Sequence, residues 1–201
     1  QHVVYSGVAN QDLETGIPHF ESSQKITEAF RSEGLPLTTL KPVFFMENWE
    51  VLLEDIAAGT LAFPLVADQP HQQTSYHDVA RATRVSFENP EEFIGTEHTI
   101  VSNVHTFAEI TQTINDIGGF DAEPYSVPIA EAYAEFGEEF GTMTEWWQEN
   151  ESHRSFFGDP SDTEGAFGFQ PQSFAEYLRE NGWEDGKDAP AHIVGWAKAM
   201  G

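Results

Sequence analysis

The sequence predicts an α/β protein built on a parallel sheet. Three observations point there. A compact apolar run, Val3-Val4-Tyr5, ends in small residues; a helical stretch follows, bracketed by Pro18 and Gly34; and the same order, strand then helix with short connections, repeats over residues 35 to 58.

Each element has a local reason. HVVYSGVAN reads as a buried strand running into a loop. From Gly16 to Gly34 a helix is expected, because Pro18 suits the first turn, where a missing N–H costs nothing, and Gly34 suits the stop. His19, Ser23, Ile26 and Phe30 fall on one stripe at helical spacing, which is expected to face inward, with Glu21, Lys25 and Glu28 elsewhere. LPLTTLKPVFF (35 to 45) is the next strand, and ENWEVLLEDIAAG the next helix, apolar along Trp49, Leu52, Leu53 and Ile56.

Beyond this the pattern loosens. TLAFPL reads as a short strand, YHDVARATRVSFENP as a helix stopped by Pro90 with Asp78 capping its backbone, and EHTIVSN as a strand. HTFAEITQTINDIGG is a helix with a Gly118-Gly119 stop, and AEPYSVP a further short strand. The rest is helical and aromatic-rich: a long helix from Ile129 to Glu149, an irregular Gly-rich loop HRSFFGDPSDTEGAFGF, and two short helices ending at Trp183 and near Trp196. GDPSDTEGAFG is the stretch expected to be mobile.

Composition excludes several function classes. With 201 residues, 39% of them apolar, and 16 Phe, the chain can bury a core as one to two domains. Nine Lys+Arg against 34 Asp+Glu give a net charge of −25, which argues against nucleic acid and anionic membranes as partners. Acidity on this scale fits a halophilic solvation shell or an ordinary acidic cytoplasmic protein. The absence of cysteine removes disulfides, thiolate metal sites and a cysteine nucleophile. The eight histidines show no HxH or HExxH spacing, so no metal site is expected, and no GxSxG elbow supports a hydrolase. The most apolar stretch, residues 56 to 67, is broken by Gly59 and Pro64 and is far shorter than the roughly 20 residues of a membrane span, so a soluble, cytoplasmic protein is expected.

VVYSGVAN, IPHFESSQKITEAFRSEGLPLTTLKPVFFMENW and YHDVARATRVSFENPEEFIG, taken together, resemble the NmrA-like branch of the atypical short-chain dehydrogenase/reductase superfamily. The resemblance runs from about Val3 to Phe120, with a looser echo in SFAEYLRENGW. It implies an incomplete Rossmann-like parallel sheet with a smaller, mainly helical carboxyl-terminal substrate domain. Residues 1–65 would be the carboxyl-side part of an NAD(P)-binding domain, and 66–201 the substrate or cap region, with 76–104 packing back on the sheet. It further implies NADP or NAD as cofactor and a small carbonyl or quinone substrate; a non-catalytic NADP(H) sensor, an inert fragment, a homo-oligomer and a protein partner all stay open.

The resemblance also assigns residues. Superfamily dehydrogenases carry a Tyr-x-x-x-Lys pair on the helix that follows the first strand here, and those positions are His19 and Ser23. His19 can act as a weak acid or base near neutral pH, or merely bond backbone at the helix start. Ser23 has neither the charge nor the reach of the lysine, and Lys25 is rotated about 200° away. Ser6, Gly7, Pro42, Val43, Phe44 and Phe45 would face the nicotinamide, although the PVFF run also reads as plain core. Met46, Asn48 and Trp146 would reach the substrate, with Trp146-Trp147, Phe156-Phe157 and Phe167/Phe169 forming either an apolar pocket or the core of the cap. No GxGxxG turn follows a strand, so the phosphate-binding half is expected on a segment preceding Val3 or on another chain, and Val3-Val4-Tyr5 is expected to have had a neighbour on each side.

Overall fold

The computed structural model describes residues 1–149 and 158–186. The two halves of the predicted order appear in sequence: β1 (Val3–Ser6), α1 (Pro18–Ser32), β2 (Leu37–Pro42), β3 (Phe44–Phe45), a 3-10 helix (Met46–Leu52) and α2 (Leu53–Ala57). There follow β4 (Thr60–Phe63), β5 (Pro70–Thr74), α3 (Tyr76–Glu88), α4 (Pro90–Phe93), β6 (Glu97–Ile100), β7 (Asn103–Thr106), α5 (Phe107–Gly118), β8 (Glu123–Ser126), α6 (Ile129–Glu149), α7 (Pro160–Phe167) and α8 (Phe174–Glu180). The chain is a mixed α/β protein with short, mainly parallel sheets.

Pairing explains the burial of each strand. The first sheet has the order β1-β2-β6, all parallel; the second has β3-β5-β7, with β5 and β7 antiparallel; β4 and β8 form a parallel pair. β2 is central and nearly all buried, as its apolar and threonine content requires. β1 is an edge strand in this sheet and only half-buried, which corrects the expectation of a buried strand. The predicted strand 35–45 is broken at Pro42-Val43, because proline cannot donate to the ladder; the chain crosses there from the first sheet into the second.

Three further expectations need correction. The inward stripe of α1 is Phe20, Ser23 and Thr27, with His19 and Ile26 exposed. Ile17 and Phe20 are drawn into an apolar cluster with Trp146 and Trp147, and this turns the inward face of the helix by roughly 60° from the predicted stripe, at about 100° per residue. The Gly-rich stretch is not irregular in its described part: Asp159 caps α7 through a capping box with Asp162, and Pro160 takes the first turn. α3 is capped by the Ser75 hydroxyl, which accepts the Asp78 N–H at 3.2 Å, while Asp78 serves another purpose described below. Phe156-Phe157 and the helix expected near Trp196 lie outside the described residues.

The main core joins the 3-10 helix, α2, β4, α5 and α8 through Met46, Trp49, Ile56, Leu61, Phe107, Ile110, Phe174, Tyr177 and Trp183. Trp49, with no exposed surface, donates its indole N–H to Gln73 Oε1 at 2.7 Å and so satisfies its polar edge; burying a side chain of this class stabilises the fold by about 2–3 kcal/mol. A second cluster, around Leu40, Ala82, Phe93, Ile100, Phe167 and Phe169, lies under α3 and α7. The aromatic set, read as either one apolar pocket or the core of the cap, is split between two core clusters: Trp146 and Trp147 belong with Ile17 and Phe20, Phe167 and Phe169 with Phe93. Among the described residues no helix is long and apolar enough to cross a membrane.

Candidate functional site

α1 runs back against β1. Phe30 packs on Tyr5 with ring centroids 5.5 Å apart, and Ser23 touches the Gly7 region, so His19, one turn nearer the helix start, stands beyond the carboxyl end of β1. The carboxyl ends of parallel strands are where open α/β sheets leave a crevice for ligands. Ser6 is exposed at that end and Gly7 half-buried, its N–H bonded to Leu40 O at 2.8 Å. Pro42 is buried and Val43 half-buried.

Strand periodicity separates the two phenylalanines that follow. Phe44 turns into the core against Trp49, Phe63 and His71, whereas Phe45 turns the other way and meets Tyr76 with centroids 4.4 Å apart. Met46 is wholly buried, Asn48 half-buried, and Trp146 packs edge-on against Phe20 at 6.1 Å.

Ser23 sits in a neutral, closed hydrogen-bond network. Its hydroxyl donates to Gln11 Oε1 at 2.8 Å, and the same oxygen accepts the Val8 N–H at 3.0 Å. Gln11 Nε2 donates to Thr27 Oγ1 at 2.8 Å. Because the one Ser23 proton is committed to Gln11, the Tyr5 phenol 3.0 Å away must be the donor to Ser23 Oγ. A Cβ on Gly7 would meet Gln11 Oε1 at 2.1 Å, so the absence of a side chain there makes room for the network. His19 is outside it. Its ring lies edge-on to Phe20, and Nδ1 is 2.8 Å from Glu139 Oε1 on α6, with both side chains about half exposed.

The connection from β1 to α1 offers no anion cradle. Pro18 lacks an N–H, Glu21 accepts the Gly16 N–H at 3.1 Å, and Thr15 Oγ1 accepts the Ile17 N–H at 3.1 Å.

A second polar group lies at the carboxyl ends of β3 and β5. Glu47 accepts the Tyr76 N–H at 2.9 Å, and burial pushes its carboxyl above the ordinary range. Glu50, buried in the 3-10 helix, accepts the phenol of Tyr177 from α8, and burial first, then that bond, keep the phenol protonated far above its usual pKa. Sequence reasoning missed the roles of Glu50, Tyr177, Gln11 and Glu139. Their partners are 12 to 127 positions distant along the chain, so no local pattern marks them.

Comparison with known proteins fits this fold. The profile of the NmrA-like family matches residues 1–178, and the chain belongs to that family. Among solved structures it is similar to NmrA, a negative transcriptional regulator, with a TM-score of 0.67 at 15% identity over 99% of this chain and 67% of that one. It is similar also to the Citrobacter sp. triphenylmethane reductase complexed with NADP(H), with a TM-score of 0.70 at 20% identity over 89% of this chain and 64% of that one. The Escherichia coli NADPH-dependent quinone oxidoreductase QOR2 gives a TM-score of 0.74 at 12% identity over 89% of this chain and 66% of that one. The chain therefore spans about two thirds of the length of the structures it resembles.

Proposed function

We propose that this chain forms the nicotinamide- and substrate-facing part of an NAD(P)H-dependent reductase of a small carbonyl or quinone compound. Residues 1–65 would serve the dinucleotide and 66–201 the substrate, with 76–104 returning to the sheet. The observation that carries this reading is the position of His19, titratable and solvent-facing, one turn from Ser23 and Gly7 at the carboxyl end of β1. A bound reduced dinucleotide, NADP(H) or NAD(H), supplies the hydride.

The chain's own residues orient and protonate. Ser6, Gly7, Pro42, Val43 and Phe45 border the nicotinamide, while Asn48 and Trp146 shape the substrate side; Phe44 and Met46, expected there from the sequence, are instead core residues, packed with Trp49 in the main cluster. His19 delivers its proton to the substrate oxygen as the carbon or ring accepts hydride, a step worth about 10²-fold or more in rate when the donor is positioned. Ser23 holds the strand end through Gln11 and takes no part in proton transfer. The reductases among the structural neighbours support this reading.

A second reading, an NADP(H) sensor without turnover, is favoured by the neutral Ser23 network, which lacks the cation of a tyrosine-lysine relay. The negative transcriptional regulator among the neighbours supports it. Titration of the intact protein with NADPH and NADP+ in high salt, followed by a quinone turnover assay, separates the two. Saturable binding with turnover is the expected result; binding alone supports the sensor, and neither overturns both.

A further inference from the structure

We propose that Glu139 is a positioning residue that holds His19 in the Nδ1–H tautomer, so that Nε2 is the nitrogen that gives and takes the working proton. This rests on the proposed proton-donor role of His19. The contact joins residues 120 positions apart, His19 Nδ1 to Glu139 Oε1 at 2.8 Å, and brings the start of α1 under α6. A half-exposed ion pair contributes little to stability, so its energetic value alone does not explain why the two elements converge there.

The convergence is built into the backbone. α6 is kinked at Gly137, whose φ of 86° and ψ of −178° lie outside the helical region and outside what a residue with a side chain readily adopts. Tyr133 bridges the kink: its phenol donates to Glu145 Oε2 at 2.8 Å, and its ring fills the place where a Cβ on Gly141 would fall. Beyond the kink, Trp146, Trp147 and Met143 clamp Ile17 and Phe20 of α1. Glu139, two residues after the kink, is thereby set over His19, two residues after Ile17.

A carboxylate on one ring nitrogen decides which nitrogen carries the neutral imidazole's proton. Glu139 accepts from Nδ1–H and leaves Nε2 as the basic nitrogen. In the imidazolium, Nε2–H is then the proton passed to the substrate oxygen, and Nδ1–H stays on Glu139 throughout. The carboxylate orients the ring and does not react.

The test is the nitrogen-15 NMR spectrum of the His19 ring at a pH where it is neutral, in the wild type and in Glu139→Ala and Glu139→Gln, with turnover measured alongside. The wild type should show Nδ1–H, Glu139→Ala should revert to the Nε2–H form of an unrestrained imidazole, and Glu139→Gln, which keeps an acceptor oxygen, should retain Nδ1–H. Turnover should fall about three- to tenfold in Glu139→Ala with KM for the dinucleotide unchanged, less than the loss on removing His19 itself. A wild-type ring in the Nε2–H form overturns the inference whatever the kinetics show. Unimpaired turnover in Glu139→Ala beside a large loss in His19→Ala overturns it too. Unimpaired turnover in His19→Ala overturns the proposed function instead, and leaves the tautomer result as the measure of the contact.

Discussion

The carboxylate of Asp78, with no exposed surface, accepts the backbone N–H of Gln172 at 2.8 Å across 94 residues of chain. The same oxygen accepts the Ser102 hydroxyl at 2.6 Å, and Asn103 beside it donates to Gln172 O and accepts the Phe174 N–H. Asp78 thus pins the start of α8 to α3 and β7. Asp78→Ala should leave the Gln172 N–H without its acceptor and Ser102 with only Thr74 Oγ1, 3.1 Å away, and destabilise the protein by about 2 kcal/mol, read as a fall in the urea midpoint at constant slope. A change below about 0.5 kcal/mol would mean that the clamp is incidental.

Gly7 and Gln11 should behave as a coupled pair. Gly7→Ala pushes a methyl against Gln11 Oε1 and should cost about 1–3 kcal/mol. In a Gln11→Ala background the clash partner is gone, and most of that cost should disappear, as a double-mutant cycle on urea melts would record. Additive losses would place the origin of the effect elsewhere than the Ser23 network.

Glu47 gives a pH signature. Burial raises its carboxyl pKa in the folded state, so folding favours the neutral form, and the stability it lends is fully present below the unfolded value of 4.5 and is lost as pH rises through the folded one. Glu47→Gln keeps an acceptor for the Tyr76 N–H and removes the buried charge. It should therefore be more stable than wild type at pH 7, with the advantage vanishing as pH falls to 4. Equal melting curves at both pH values would contradict the assignment.

A net charge of −25 means self-repulsion that salt screens. The melting temperature should rise steadily between 0.1 and 2 M KCl, measured by circular dichroism. A flat or falling curve would argue against a halophilic solvation shell.

Much of the fold is legible in the sequence because its signals are local. Val3-Val4-Tyr5, Pro18 to Gly34 and the Gly118-Gly119 stop announce their elements within a few residues. β5 is not legible: PHQQT has neither alternation nor β-branched content before Thr74, and it is a strand because Gln72, Gln73 and Thr74 find polar partners or packing inside. The face of α1 is misread because His19 and Ile26 share helical spacing with Ser23, and only the tertiary pull of Trp146 and Trp147 on Ile17 and Phe20 decides the rotation. The site follows the same rule. Its residues were placed by resemblance to a motif, but what Ser23 and His19 do is set by Gln11 and Glu139, whose approach depends on the loop after β1 and the kink in α6.

The central claim, that His19 is the proton donor of a dinucleotide-dependent reductase, is tested most directly by NADPH-driven quinone reduction in the wild type and in His19→Ala, with NADPH affinity measured on both. The account predicts saturable NADPH binding of equal affinity in the two and a turnover about 10²-fold lower in His19→Ala. Turnover unchanged by the substitution would contradict it.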